Sequence, residues 1–265
     1  MNNEIAIGIL DVYDQEDLEN CYSSIPDQYK NNVFIVSATK NTKPKGFQEH
    51  PVLDLDDNVT VKYRQYSDVP FATLRNWLIT QFRISDYKYY FLLHSNQIVE
   101  NPNLFENTIK IAETFGTWML LGEGKHNIPL EDDVVGVTLY ASPEMNSEFI
   151  FIISGIVKNV GLFEERFFNT KDLDVLDYVI KLREKGVYPP AHFHPNIGTG
   201  LKSVKKTIKK IGFKDIPDQD RSVGLSYGYF VHKHKYIPGQ NDPVGITKEQ
   251  LVTSLEKIQK NYAKK

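Results

Sequence analysis

The residues best suited to chemistry follow the apolar segment at 87–93, where the chain continues with His94, Ser95 and Asn96. His94 and Asn96 are two positions apart, so both side chains can face the same way at the end of a strand. An imidazole nitrogen and an amide oxygen can bind a divalent cation such as Mn²⁺ or Mg²⁺, but neither supplies negative charge. The turn therefore predicts either a weak metal site or a metal-free turn that donates hydrogen bonds.

Four further histidines form two pairs with the same spacing: His192 with His194, and His232 with His234. On an extended backbone, both rings of a pair would lie on one face. Two such pairs without neighbouring cysteines do not predict a structural zinc site. The alternative is that these are loop histidines with packing roles.

Two aspartates flank the start of a predicted helix at 173–186. Asp172 stands directly before this helix, and Asp174 follows two positions later. A carboxylate in this place can act as a general base that accepts a proton from a hydroxyl group. It can equally cap the helix by accepting a hydrogen bond from a backbone N–H group.

Arg75 and Asn76 lie on a predicted amphipathic helix at 70–82. A guanidinium group donates hydrogen bonds in pairs and therefore suits a phosphate group. The alternative is an ordinary ion pair with Asp68 or Asp86.

Strand and helix patterns alternate along the first two thirds of the chain. Strands are predicted at 4–10, 32–39, 59–66, 87–93, 117–123, 134–141 and from 148, the last leading into a short helix. Helices are predicted at 14–25 with Asp14 as its N-cap, 70–82, 101–115, 173–186, 201–212 and 247–265.

This alternation predicts a three-layer α/β/α sandwich with a mostly parallel, mixed central sheet of the Rossmann-like kind, followed by a C-terminal flank of helices and loops. Ligands of such folds bind at the carboxyl ends of the strands. Here those ends are the turns at 11–14, 37–46 and 94–97. Asp11, Thr39 and His94 lie in these turns.

We expect a first domain at 1–186 and a basic flanking region at 187–265 that closes over the site.

Composition describes a globular protein of 265 residues, of which 41% are hydrophobic. No apolar run approaches the roughly 20 residues that span a membrane, and a single Cys21 suggests a reducing compartment, so we expect a cytoplasmic protein. The net charge of −3 is uneven, because the chain from Lys202 onward carries a net charge of +8. Its lysines at 202, 205, 206 and 209 would share one helical face and could contact a nucleotide diphosphate, an anionic membrane or a nucleic acid.

Four segments in order resemble the GT-A glycosyltransferases, in particular the large family-2-like group. They are "IAIGIL" followed by a helix and "VFIVSAT", then "ATLRNWLI", then "YFLLHSNQIVENP", and finally "GIVKNVGLFEERFFNTKDLDVLDYVIKLREKG". The resemblance covers about residues 4–186. It implies transfer of a sugar from a nucleotide-sugar donor, with a UDP-sugar expected first.

The resemblance also implies roles for individual residues. Asp172 would be the base of an inverting transfer, with Asp174 as the reserve. A divalent Mn²⁺ or Mg²⁺ ion entering with the nucleotide would be held by His94 and Asn96, and by His232 or His234 of the C-terminal flank. Residues expected to bind the donor are Asp11, Thr39, Arg75, Asn76, His94, Ser95 and Asn96. The acceptor implied for this group is a surface glycan, and the basic C-terminal region leaves a modified DNA base as a second option.

The chain departs from the family at its acidic positions. His94 and Asn96 replace the metal-binding aspartates, Lys171 replaces the first member of an acidic pair, and the strand at 32–39 ends without acidic residues. These departures keep open a GT-A-like binding module without catalysis. A nucleotidyltransferase is a further alternative, although its chemistry needs a carboxylate-held metal that this turn does not provide.

Overall fold

The computed structural model describes residues 4–47, 52–53, 59–60, 62–66, 69–115, 119–122, 128–134, 137–141, 146–167, 173–185, 193–195, 201–203 and 219–235. The helices are α1 (Gln15–Ser24), α2 (Phe71–Ile84), α3 (Leu104–Phe115), α4 (Ser154–Val160), α5 (Leu173–Glu184) and α6 (Gln219–His234). The strands are β1 (Ile5–Asp11), β2 (Val33–Ser37), β3 (Val52–Leu53), β4 (Val59–Thr60), β5 (Tyr63–Gln65), β6 (Tyr89–His94), β7 (Gln97–Val99), β8 (Met119–Gly122), β9 (Ile128–Val134), β10 (Val137–Ala141), β11 (Asn146–Ile153), β12 (Phe193–Pro195) and β13 (Leu201–Ser203).

The central sheet has six strands in the order β5-β2-β1-β6-β11-β8. The first four strands are mutually parallel, whereas β11 runs antiparallel to both β6 and β8. Every residue of β1, β2 and β6 is buried, as expected for parallel strands covered on both faces. The predicted mixed, mostly parallel sheet is confirmed.

Alternate residues of β1 belong to two separate cores, because successive side chains of a strand point to opposite faces. Ile7 and its odd-numbered neighbours pack with α1 and α3. Leu10 and Ala6 pack with α2, α4 and α5 on the other face. The predicted three-layer sandwich is therefore confirmed.

Gly8 allows α2 to lie unusually close to the middle of the sheet. A Cβ atom at this position would be 2.7 Å from Leu78 Cδ1 and 2.8 Å from Phe82 Cζ. A larger residue would force these two buried side chains of α2 to shift, and α2 positions two of the expected site residues. The first helix also begins as predicted, because the Asp14 side chain accepts a hydrogen bond of 3.0 Å from the Asp17 N–H group.

Three described segments beyond residue 187 pair with the first part of the chain. β12 pairs with β10, which pairs with β9, and β13 pairs antiparallel with β7. Phe230 of α6 packs against Phe167, before α5, and against the apolar side chains of α5. Residues 201–203 are thus strand, and the helix predicted from 201 is wrong there because pairing with β7 overrides the helical lysine spacing. Residues 204–212 and the helix predicted at 247–265 lie outside the described residues.

Two other predicted strands differ in their extent. Of the strand predicted at 134–141, residues 137–141 form β10, and Val134 is the last residue of β9, which was not predicted. The strand predicted at 59–66 contains the short β4 and β5. No helix in the described part of the chain has the length and apolar character needed to cross a bilayer.

Candidate active site

The carboxyl ends of three parallel strands meet at one edge of the sheet. The strand register places Asp11 of β1 beside Ser37 of β2, and Leu10 beside His94 of β6. The turns that follow these strands are the ones expected to hold the ligand. Polar side chains are concentrated there although most of them are buried.

Asp11 is the centre of this edge. Its fully buried carboxylate accepts hydrogen bonds from Ser37 Oγ at 2.6 Å, Thr39 Oγ1 at 3.0 Å, Asn41 Nδ2 at 2.9 Å and Ser95 Oγ at 3.4 Å. The structure thus brings together three expected donor-binding residues, Asp11, Thr39 and Ser95. Ser37 and Asn41 were missed as site residues, although their place at the end of a buried strand could have indicated them.

Burial raises the pKa of the Asp11 carboxyl to about 6, and its hydrogen bonds from Ser37, Asn41, Thr39 and Ser95 oppose this shift. A raised folded-state pKa means that the folded protein binds this proton more readily than the unfolded chain. Stability associated with Asp11 is therefore present at low pH and lost as the pH rises through about 6.

We expect the free energy of unfolding of the parent, relative to that of Asp11→Asn, to increase by on the order of 1 kcal/mol when the pH falls from about 7 to about 5. The amide side chain does not titrate, so the variant removes this pH dependence while preserving the shape of the residue. Urea denaturation of both proteins at the two pH values measures the difference. Parallel pH curves for the two proteins would show that Asp11 keeps its ordinary pKa.

His94 lies inside the protein and is fully buried. Its ring stacks on Phe71 of α2, with ring centroids 5.6 Å apart and an interplanar angle of 7°, and also contacts Tyr13 at 6.5 Å. Phe71 in turn lies 5.6 Å from the guanidinium carbon of Arg75. His94 therefore connects the turn to α2 by packing, and its role as a metal ligand stays a prediction.

Asn96 and Gln97 extend the turn toward a carboxylate from the neighbouring strand. Glu148 Oε2 of β11 accepts hydrogen bonds from Asn96 Nδ2 at 3.3 Å and from Gln97 Nε2 at 3.0 Å. Glu148 was missed in the sequence because it is 52 positions from Asn96. Its place at the start of a strand antiparallel to β6 is the signal that could have found it, since such a residue lies beside the end of β6.

Arg75 forms a buried ion pair with Asp174 in the first turn of α5. The exposed fractions of the two side chains are 0% and 1%. The partners considered in the sequence were Asp68, which lies outside the described residues, and Asp86. Arg75 in this arrangement binds α2 to α5, and Asp174 as reserve base is occupied by the guanidinium group.

Asn76 holds the turn that follows α4. Its Nδ2 atom donates to the Phe163 carbonyl at 2.9 Å and to Glu165 Oε1 at 2.7 Å, and its Oδ1 atom accepts from the Phe163 N–H group at 2.9 Å. Arg75 and Asn76 therefore fix the start of α5 and the turn at 163–165 against α2. Asp172 itself lies outside the described residues.

The C-terminal histidine pair does not have the extended backbone that was expected. His232 and His234 lie on α6, where residues two apart point about 200° apart around the axis. His232 is exposed, whereas His234 Nε2 lies 2.7 Å from Asp177 Oδ1, which also pairs with Lys233. The extended backbone on which both rings would share one face is therefore not present at this pair. Of the other pair, His192 lies outside the described residues and His194 is part of β12.

Across the described ranges, no group of three or more His, Cys, Asp or Glu side chains could hold a metal ion. The oxygen atoms of Asn96, Gln97 and Glu148 do suit a hard divalent cation, because Mg²⁺ and Mn²⁺ prefer carboxylate and amide oxygens.

Comparison with known proteins agrees with the fold. No protein-family model matches this sequence, and no curated protein matches it either. The structure of GalNAc-T7 with UDP, GalNAc and Mn²⁺ is similar over 97% of this chain and 55% of its own, at 12% identity and a TM-score of 0.53. TarS 1-349 of S. aureus is similar over 96% of this chain and 80% of its own, at 12% identity and a TM-score of 0.45. The mannosyltransferase PcManGT of Pyrobaculum calidifontis is similar over 98% of this chain and 73% of its own, at 10% identity and a TM-score of 0.49.

The fold of this chain is that of the GT-A glycosyltransferases, with the open carboxyl edge of its sheet built around Asp11 and the His94 turn. This chain spans about half the length of the GalNAc-T7 structure that it matches.

Proposed function

We propose that this protein is a glycosyltransferase that moves a sugar from a nucleotide-sugar donor, first of all a UDP-sugar, to an acceptor. The observation that carries the proposal is the GT-A fold with a buried polar cluster where β1, β2 and β6 end. In sheets of this kind the carboxyl edge is where ligands bind. GalNAc-T7, which shares the fold, was crystallised with UDP and Mn²⁺.

The donor would lie across the turns at 11–14, 37–46 and 94–97. Asp11, Thr39 and Ser95 already form one hydrogen-bonded cluster there. A pre-formed cluster of this kind holds the strand ends in place before the ligand arrives, which lowers the entropic cost of binding. A divalent metal, when bound, would compensate the charge that develops on the leaving diphosphate.

Asp172 would serve as the base of an inverting transfer. It would accept the proton of the acceptor hydroxyl group while that oxygen attacks the anomeric carbon, and the bond from this carbon to the diphosphate oxygen breaks. Arg75 and Asn76 act as positioning residues, because they attach α5 and the 163–165 turn to α2. We place the base at Asp172 rather than Asp174 because Asp174 is buried against Arg75.

The acceptor expected for this group is a surface glycan, with a modified DNA base as the second option. Within the described part of the basic flank, we infer that Lys202 contacts an anion near the carboxyl edge where the donor would lie. Lys202 is exposed on β13 and lies opposite Ile98 in the ladder with β7, which directly follows the His94 turn. Its ammonium group can attract a phosphate from this position.

We expect Lys202→Ala to weaken UDP binding by a factor of a few and to reduce the salt dependence of that binding, because one exposed cation contributes little. Titration calorimetry at low and high salt measures both effects. Lys110→Ala removes an exposed lysine from α3 and serves as the control. Equal loss of affinity for uridine, which has no phosphate, would contradict a role at the diphosphate.

A thermal-shift panel of nucleotides and nucleotide sugars tests the proposed function. A ligand that binds the native state raises the melting temperature by mass action. We expect UDP and at least one UDP-sugar to raise it more than unrelated nucleotides, followed by detectable transfer or donor hydrolysis. Binding without any turnover would support the alternative of a binding module, and no shift with any nucleotide would refute the proposal.

A further inference from the structure

Glu148 is a carboxylate from outside the His94 turn that lies against it. Phe149 of β11 pairs with Leu93 of β6, so Glu148, one position earlier on the antiparallel strand, lies beside the end of β6. This places its carboxylate next to the turn in which the family resemblance expects aspartates. Ser147 and Phe149 on either side are buried, so the position of Glu148 is fixed by the core.

Three side chains join at this point through short contacts. Gln97 Nε2 donates to Glu148 Oε2 at 3.0 Å and to Asn96 Oδ1 at 3.1 Å, while Asn96 Nδ2 donates to Glu148 Oε2 at 3.3 Å. The cluster therefore holds the carboxylate of Glu148 within hydrogen-bond distance of the amide groups of Asn96 and Gln97. Asn96 and Gln97 are 2% and 3% exposed, so their amide groups are held rather than free in solvent.

We propose that Glu148 supplies the negative charge that the turn itself lacks, and that Glu148 and Asn96 together hold the divalent cation that accompanies the nucleotide diphosphate. This inference rests on the proposed function. Oxygen ligands of this kind are those that Mg²⁺ and Mn²⁺ select. A carboxylate reached from a neighbouring strand serves the same electrostatic purpose as one within the turn, because the attraction depends on distance and not on sequence position.

The hydrogen bonds explain why the cation would enter only with the nucleotide. The carboxylate of Glu148 is occupied by two amide N–H donors, which a cation must displace. Rotation of the Asn96 amide by 180° would present its oxygen beside Glu148 instead of its nitrogen, and the two orientations have nearly the same shape. The diphosphate would add the remaining ligands and charge, which makes this rearrangement favourable only in the ternary complex.

Titration calorimetry with UDP in Mn²⁺ and in chelator tests the proposal, with depletion of the free Mn²⁺ paramagnetic resonance signal as a second readout. We expect Mn²⁺ to increase the UDP affinity of the parent by at least about tenfold, equivalent to roughly 1.4 kcal/mol. Glu148→Gln should abolish that gain because it removes the charge and keeps the shape, and the affinity in chelator should not fall, since the variant also removes a negative charge beside the diphosphate. Glu148→Asp should retain part of the gain, and Asn96→Asp should increase it because it adds a second charge.

Glu100→Gln is the matched control, because Glu100 is exposed just beyond β7 and its replacement makes the same charge change. Melting temperatures of all variants show that each is folded. An undiminished Mn²⁺ gain in Glu148→Gln would place the metal ligand elsewhere and overturn the proposal. A parent protein that binds UDP equally with Mn²⁺ and chelator would also overturn it, and would leave the proposed function intact. A parent that binds no nucleotide would refute the proposed function itself.

Discussion

Asp172→Asn will lower the turnover of sugar transfer by a factor of about 10²–10⁴, which is the typical contribution of a general base. The affinity for UDP will remain within about twofold, because the substitution changes a single proton-accepting group and not the donor edge. The physical reason is that a carboxamide oxygen is far too weak a base to take the proton of an attacking hydroxyl group. Initial rates with the UDP-sugar selected by thermal shift, together with UDP calorimetry, measure the two quantities.

The same substitution separates catalysis from helix capping. Asn is about as effective as Asp at an N-cap position, so a purely capping residue would tolerate Asp172→Asn without loss. Asp172→Ala removes both functions and would lower the free energy of unfolding by about 1 kcal/mol in addition. Turnover of Asp172→Asn equal to that of the parent would exclude Asp172 as the base and leave the capping interpretation.

The fold could be predicted from the sequence because its strands carry a strong local signal. β1, β2 and β6 are continuous apolar runs, which strands buried on both faces require, and each is bounded by turn residues. The helices α1, α2 and α5 likewise begin and end within a few residues of their predicted limits. The local pattern is sufficient for such elements, because the strands are apolar along their length and the buried positions of the helices recur about once per turn.

α6 was not predicted because its sequence has weak periodicity. The segment contains Gly224 and Gly228, and the aromatic residues Tyr229 and Phe230 follow one another. The His-x-His spacing at its end was considered on an extended backbone. Tertiary contacts decide this element instead. Phe230 packs on Phe167, and Lys233 and His234 both contact the buried Asp177 of α5. Such contacts have no signature in the sequence of α6 alone.

The contacts that define the candidate site are long-range and could not be predicted in the same way. Asp11 meets Ser95 across 84 positions, and Arg75 meets Asp174 across 99. The sequence indicated which turns would lie at the carboxyl edge, and Asp11, Thr39 and Ser95 do lie together there. It could not show that Phe71 would cover His94, because that contact depends on the angle at which α2 crosses the sheet.

Arg75→Met will lower the free energy of unfolding by about 3–5 kcal/mol, because it leaves the Asp174 carboxylate buried without its cation. That loss is a large part of the roughly 5–15 kcal/mol by which such domains are stable. The double variant Arg75→Met/Asp174→Leu removes both charges, and we expect it to be more stable than either single variant. Urea denaturation followed by circular dichroism gives the four free energies of a double-mutant cycle.

Arg166 provides the control, because it pairs with Glu164 while its side chain is 66% exposed. Arg166→Met should cost no more than about 1 kcal/mol, since water screens a surface ion pair. The two substitutions also distinguish the possible roles of Arg75. If Arg75 instead bound the diphosphate directly, Arg75→Met would cost little stability and would reduce UDP affinity by more than about tenfold, as expected for loss of a charge-assisted hydrogen bond to phosphate. A large loss of stability that the second substitution recovers would show that Arg75 serves the site by holding α5 in place against α2.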